Sequence, residues 1–197
     1  MSLKPYYERD GITIYHGDCR EILPHLKADC VVTDPPFGVE YRQPRVCPGR
    51  MSVHGDDAWR FGRPEIPFVV WGANNAEGYS DCGWLVWDKE RYGRDLFGDG
   101  ELAACDQLKG VRVFSSRWDR QHGLGWTGLH PTEKPVSLIQ WCLGFVPPGT
   151  ILDPFMGSGT TLVAAKLERR KAIGIEIEER YCEIAAKRLS QGVLPFA

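Results

Sequence analysis

Hydrophobic positions along this chain fall into short runs rather than long stripes, and several of the runs end at an acid. Ile12 and Ile14 alternate with Thr13 and Tyr15, which predicts a strand over residues 11–15 that closes at Gly17-Asp18. Ile22, Leu23 and Leu26 make a helical stripe within residues 19–27, and residues 30–32 are β-formers without a polar position among them. The predicted order is therefore strand, helix, buried strand. Phe68-Val69-Val70-Trp71 and Trp84-Leu85-Val86-Trp87 also lack alternation and predict two buried central strands, whereas Val111-Arg112-Val113-Phe114 alternates and predicts a strand nearer an edge. Residues 91–109 carry little pattern, with one helix predicted around residues 101–108. In the last third, Leu138, Ile139, Cys142 and Leu143 form the apolar face of a helix, capped by Thr132, with Pro135 in its first turn and Pro147-Pro148-Gly149 as its stop. A strand at residues 150–152, a glycine turn, a helix over residues 161–167 and a strand at residues 172–175 complete the pattern.

Two strand ends stand out chemically. The run through Val31 and Val32 ends at Asp34-Pro35-Pro36-Phe37, and since neither proline can donate to a ladder, the strand must stop at Asp34. Proline fixes its own φ and restricts the residue before it, so the Asp34 carboxylate, the Pro35 carbonyl and the Phe37 ring are presented from a rigid corner. Strand ends are where open α/β sheets place ligands. Taken alone, such a tetrapeptide reads first as a plain turn with a solvated acid and a core aromatic ring.

The second strand end is Asp153, followed by Pro154-Phe155-Met156-Gly157-Ser158-Gly159-Thr160-Thr161. Strand, glycine turn and helix form the layout of a nucleotide-binding unit, in which glycines let a ligand approach the backbone. Glu176 ends the next strand 23 residues past Asp153, close to the roughly 20-residue spacing at which an acid meets ribose hydroxyls. No Gly-Lys-Ser/Thr follows the turn, which disfavours a P-loop, and Leu162 stands where a dinucleotide fingerprint has glycine or alanine. Asp153 would also repel a pyrophosphate. An acid at the end of each strand suits a ligand with ribose hydroxyls and a positive centre, and S-adenosylmethionine has both. Asp18, where the first strand gives way to the helix, is a cap, a polar contact to a ligand, or both.

A chain of 197 residues fits one domain spanning residues 1–197. Residues 38–67 read as a long mobile loop overhanging the proline corner, rich in Gly, Pro and Arg. With 43% hydrophobic and 25% charged residues the composition is that of a soluble globular protein, and neither a membrane span nor the apolar core of a signal peptide is visible, so a cytoplasmic location is expected. The seven cysteines never form Cys-x-x-Cys and the five histidines never form His-Glu-x-x-His, so no disulfide framework and no metal site is expected. A net charge of −2 is by itself mild evidence against a nucleic-acid partner, although Arg42, Arg45, Arg50, Arg60 and Arg63 cluster after Phe37, and Lys109, Arg112, Arg117, Arg120 and His122 form a second cluster.

Taken in order, Asp34-Pro35-Pro36-Phe37, Trp71-Gly72-Ala73-Asn74, residues 84–89, residues 130–135, residues 153–161 and Gly174-Ile175-Glu176 resemble the motifs of the amino-DNA methyltransferases. Because the corner precedes the glycine turn, the chain is similar to the β permutation of that family, and its size resembles phage or prophage modification enzymes. The resemblance spans about residues 12–190. It implies an α/β, Rossmann-like methyltransferase fold, circularly permuted, with a mainly parallel seven-stranded sheet, one antiparallel strand, and cofactor and catalytic sites side by side. By family pattern Asp153, Phe155, Gly157, Ser158, Gly159, Thr160 and Glu176 hold S-adenosylmethionine, as do Asp18, His130, Thr132 and Lys134. Asp34, Pro35, Pro36 and Phe37 carry the chemistry.

The implied activity is transfer of a methyl group from S-adenosylmethionine to the exocyclic N6 of a flipped adenine in double-stranded DNA, within a restriction-modification setting, by a monomer or homodimer. Asp at the first corner position is commonest for adenine N6 and Ser for cytosine N4. Cytosine N4 and an RNA substrate are the alternative acceptors, and a catalytically idle nucleic-acid-binding relic is the rival outside enzymology. C5-cytosine chemistry needs a Pro-Cys nucleophile, and the chain offers only Cys47-Pro48, in the reverse order. Larger members carry a separate target-recognition segment; here only residues 90–129 are available for a reduced one.

Overall fold

In the computed structural model, which describes residues 3–36, 62–90, 98–116 and 133–191, the short apolar runs become strands of one sheet. β1 (Tyr7–Arg9) and β2 (Ile12–His16) form a hairpin through Asp10 and Gly11, both at positive φ. There follow α1 (Cys19–Ile22) with a 3-10 turn over Leu23–His25, then β3 (Cys30–Thr33), β4 (Phe68–Trp71), β5 (Gly83–Asp88), β6 (Gly100–Cys105) and β7 (Val111–Ser115). α2 (Val136–Leu143), β8 (Ile151–Asp153), α3 (Thr160–Leu167), β9 (Ala172–Glu176) and α4 (Glu179–Ser190) close the chain. The strands lie in the order β1-β2-β9-β8-β3-β4-β6-β5-β7. Pairing is parallel except at β1, which opposes β2, and at β6, which opposes both β4 and β5.

Successive strand residues point to opposite faces, and both faces of the central strands are covered. Val32 and Val69 pack with Leu138, Cys142, Leu162, Ala165, Cys182 and Leu189 of α2, α3 and α4 on one face. Val31, Phe68 and Val70 pack with Cys19, Ile22, Tyr79 and Ile175 on the other. Burying such a side chain stabilises by roughly 1.5–3 kcal/mol, which is why polar residues are displaced to the strand ends. Among the described residues no helix is long and apolar enough to cross a membrane.

Four local expectations need correction. Residues 101–108 do not form a helix: residues 100–105 are β6, because pairing with β4 on one side and β5 on the other overrides the local preference of Leu102-Ala103-Ala104. β5 is not buried throughout; Gly83, Leu85 and Trp87 are buried while Trp84, Val86 and Asp88 are only half-buried, since one strand alone, β7, lies outside it. The sheet has nine strands among the described residues. The expected seven, with β6 the reversed one, run from β2 to β5, and β1 and β7 extend the two edges. Pro135 is the N-cap of α2 rather than a residue of its first turn, and Thr132, expected to cap it, lies outside the described residues.

Candidate active site

β3 and β8 are parallel neighbours, registered Cys30 to Ile151 and Val31 to Leu152, so Asp34 and Asp153 emerge at the same edge of the sheet. Thr33 joins them: its Oγ1 donates to Asp153 Oδ1 at 2.7 Å, and Phe155 N donates to the same oxygen at 3.1 Å. Asp153 is thus turned inward, 3% exposed, where burial pushes its carboxyl up to about 6 against the hydrogen bonds from Thr161, Thr33 and Phe155. It ties β8 to the corner and to α3.

Beyond Asp153 the chain turns through Gly157 and Gly159, at φ 50° and 82°, and enters α3 at Thr160. Glu176, at the end of β9, reaches over this turn, its Oε2 accepting from Gly157 N at 3.0 Å and its Oε1 from Glu178 N at 2.8 Å. Burial raises its carboxyl above the ordinary range. Behind the turn, Arg188 of α4 donates to Ser158 O at 2.8 Å, Ser158 Oγ at 3.0 Å and Thr160 Oγ1 at 3.3 Å, and pairs with Glu133 at 2.9 Å. Asp18 caps α1 by accepting from Arg20 N at 2.9 Å and pairs with the Arg20 guanidinium, at the end of β2 and one strand beyond Glu176.

The other side of the shared edge is a chain of charges. Lys134, just before α2 and only 6% exposed, donates to Asp34 Oδ2 and pairs with Glu101 of β6 at 3.1 Å. Glu101 in turn pairs with Lys89 at 2.6 Å. The two ammonium groups lie over indole faces, Lys134 over Trp71 at 5.2 Å and Lys89 over Trp87 at 5.3 Å. Burial would raise the Glu101 carboxyl, but Lys134 and Lys89 hold it down at about 2. Lys134 is raised despite its burial, through Asp34 and Glu101. Asp34 is raised by burial against the pull of Lys134. Pro35 is buried and Pro36 half-buried.

Of the residues expected from sequence, the structure brings Asp153, Phe155, Gly157, Ser158, Gly159, Thr160 and Glu176 together around one turn, with Asp34 and Pro35 beside it. Lys134, expected at the cofactor, contacts Asp34 instead. Phe37, His130 and Thr132 lie outside the described residues. Glu101, Lys89 and Arg188 were missed. Lys89 falls within the Trp84-to-Lys89 motif and had a signal; Glu101 had none, because its segment read as helix.

A glycine turn opening a helix, beside an acid-proline corner at the strand ends of an α/β sheet, is the layout of a Rossmann-like α/β domain. The N6/N4 DNA methylase family model matches residues 67–187, and the chain belongs to that family. The type II methyltransferase M2.LlaDCHI of Lactococcus lactis subsp. cremoris is 48% identical, covering 98% of this chain and 94% of the relative. That alignment runs to 261 positions against 197 residues here, so the relative carries inserted segments. M.ScaI of Streptomyces caespitosus, another type II methyltransferase, is 27% identical over 94% of this chain and 84% of its own. In fold, the chain is similar to PvuII DNA methyltransferase (cytosine-N4-specific), with TM-score 0.63, 17% identity and coverage of 98% of this chain and 91% of that one. It is also similar to M1.HpyAVI crystallised with S-adenosylmethionine, with TM-score 0.55, 24% identity and coverage of 91% and 100%.

Proposed function

We propose that this DNA methylase transfers a methyl group from S-adenosylmethionine to the exocyclic N6 of an adenine flipped out of double-stranded DNA. The observation that carries the reading is Asp34, an ionisable acid at the first position of the proline corner, held at the same edge as the glycine turn. The turn fits the cofactor by its donor set. Glu176 is half-buried and spends one lone pair of each oxygen on backbone N–H groups, leaving acceptor sites for ribose hydroxyls. Gly157 and Gly159 leave the backbone approachable. Bound there, S-adenosylmethionine supplies a methyl group on a sulfonium, whose sulfur leaves as a neutral thioether.

Glu176 and the turn from Phe155 to Thr160 would hold that group, with Asp18, His130 and Thr132 as further contacts. Asp153 supports the turn from beneath. An exocyclic amine is a poor nucleophile because its lone pair is delocalised into the ring. The Asp34 carboxylate and the Pro35 carbonyl, each accepting one of its hydrogens, draw the nitrogen toward tetrahedral geometry and aim the lone pair outward. Phe37 stacks on the extruded ring and offsets an unstacking cost of a few kcal/mol. The nitrogen gains the carbon and gives up a proton, which the Asp34 carboxylate can accept.

The test is methyl transfer from labelled S-adenosylmethionine to unmethylated DNA and, in a parallel reaction, to RNA, followed by digestion to nucleosides and chromatography. Label in N6-methyl-2′-deoxyadenosine, lost at least about 100-fold in Asp34→Ala, is expected. Label in N4-methylcytosine keeps the corner and replaces the base. Label absent from DNA and present in RNA overturns the DNA assignment.

A further inference from the structure

β6 is the one strand of the central seven that runs backwards, and this has a chemical consequence. Because it opposes β4 and β5, its start lies where they end: Glu101 is registered with Trp87, and Ala103 with Trp71. An acid at the second position of β6 is therefore delivered to the edge that carries Asp34. A parallel strand would have put it at the opposite end.

We propose that Glu101 is a positioning residue for methyl transfer: together with Lys89 it holds the buried ammonium of Lys134 between two carboxylates, so that Asp34 is oriented yet not fully occupied. The inference rests on the reading of Asp34 as the group that meets the target amine. Lys134 has three donors, and among the described residues it pairs with two carboxylates, Asp34 and Glu101. Were Glu101 absent, a buried ammonium would settle on Asp34 alone, and the carboxylate's acceptor capacity would go to the lysine instead of the substrate. Glu101 prevents this by taking a share of the ammonium through Oε2, while its Oε1 is itself anchored by Lys89. The set of two acids and two lysines is neutral as a whole, which is how charges survive at such a depth. The Trp71 and Trp87 rings floor the two ammonium groups. Cys142 of α2 also faces Lys134, with a thiol that burial keeps protonated. Exposure divides the roles: the Asp34 side chain is 34% accessible and can meet a substrate, whereas Lys134 at 6% cannot.

The arrangement predicts opposite responses to two charge removals. Glu101→Gln takes a negative charge away from Asp34 and leaves Lys134 to it, so the acid limb of the kcat/KM profile for DNA moves to lower pH by about 0.5–1. Lys89→Met lets Glu101 draw Lys134 off Asp34, so the limb moves to higher pH by a similar amount. In both, kcat falls by about 10- to 100-fold while affinity for S-adenosylmethionine, read by calorimetry, changes less than about twofold. The double variant brings the limb back toward the wild-type position. A purely structural role for Glu101 lowers activity without moving the limb, and that result, or limbs moving in the same direction, overturns the proposal. Where Glu101→Gln no longer binds the cofactor, the direction of the Lys89→Met limb decides. Wild-type protein and Asp34→Ala run alongside: an inactive wild type, or an active Asp34→Ala, defeats the underlying reading instead.

Discussion

Asp153 is buried, and both the proline corner, through Thr33, and the glycine turn, through Phe155, donate to its carboxylate. Its folded pKa of about 6 lies above the ordinary 3.8, so the folded state binds its proton more tightly than the unfolded chain does. Stability from this group is therefore full below about pH 4 and is lost as pH rises through about 6. Asn at this position has no charge to bury, and its Oδ1 still accepts from Thr33 and Phe155 N. The unfolding free energy of Asp153→Asn relative to wild type is thus expected to rise between pH 4 and pH 8, by about 1–3 kcal/mol, in urea titrations at the two pH values. A flat difference across that range would mean that the carboxylate is already compensated. The residue scale also explains why Lys134 is hard to place from sequence. Its neighbour Glu133 turns to Arg188 behind the glycine turn while Lys134 turns to Asp34, so two consecutive residues serve opposite sides of the edge. Chain order alone does not separate them.

Elements whose ends are fixed by local chemistry were legible. Prolines stop β3 at the corner whatever surrounds it, and the glycines of the turn mark the passage from β8 into α3 by their own conformational freedom. β6 was not legible, because Leu102-Ala103-Ala104 has no local preference for a strand and is extended only because β4 and β5 flank it. With β6 read as a helix, Glu101 could not be seen at the site. α4 is the opposite case: Tyr181, Ala185 and Leu189 are buried at every fourth position, a stripe that the period of a helix makes visible and that went unread. Its packing makes Gly159 the element-scale weak point. Gly159 sits at φ 82°, and a Cβ there would come within 2.7 Å of Ala185 Cβ, so α3 and α4 approach each other only because this position is bare. Gly159→Ala should therefore lower the unfolding free energy by about 1–3 kcal/mol, from left-handed strain and from the forced separation of the helices. Thermal melts read the loss, and S-adenosylmethionine titration reads the accompanying drop in affinity as Arg188 and Ser158 part. An unchanged melting temperature would show that α4 yields freely.

At the scale of the molecule the strand order divides the edge in two at the β8–β3 junction. β8, β9, α3 and α4 gather the glycine turn, Glu176 and Arg188 on one side; β3, β4, β6 and β5 gather Asp34, Lys134, Glu101 and Lys89 on the other. The β3–β8 ladder, the Thr33–Asp153 hydrogen bond and the Glu133–Arg188 pair join the halves. On the proposed reading such a layout separates cofactor binding from chemistry, so the two are expected to be removable independently. Saturation with S-adenosylmethionine at about 100 times its Kd should stabilise the wild type by about 2.7 kcal/mol, since a ligand bound only by the folded state shifts unfolding by mass action. Asp34→Ala is expected to keep nearly all of that stabilisation and to lose methyl transfer. Glu176→Ala is expected to lose most of the stabilisation at the same cofactor concentration, with transfer recovering in part as the concentration is raised. Denaturant titrations with and without cofactor measure the first quantity, and labelled transfer to DNA the second. If Asp34→Ala forfeits the stabilisation as well, the corner is part of the cofactor site and the division at β8–β3 is wrong.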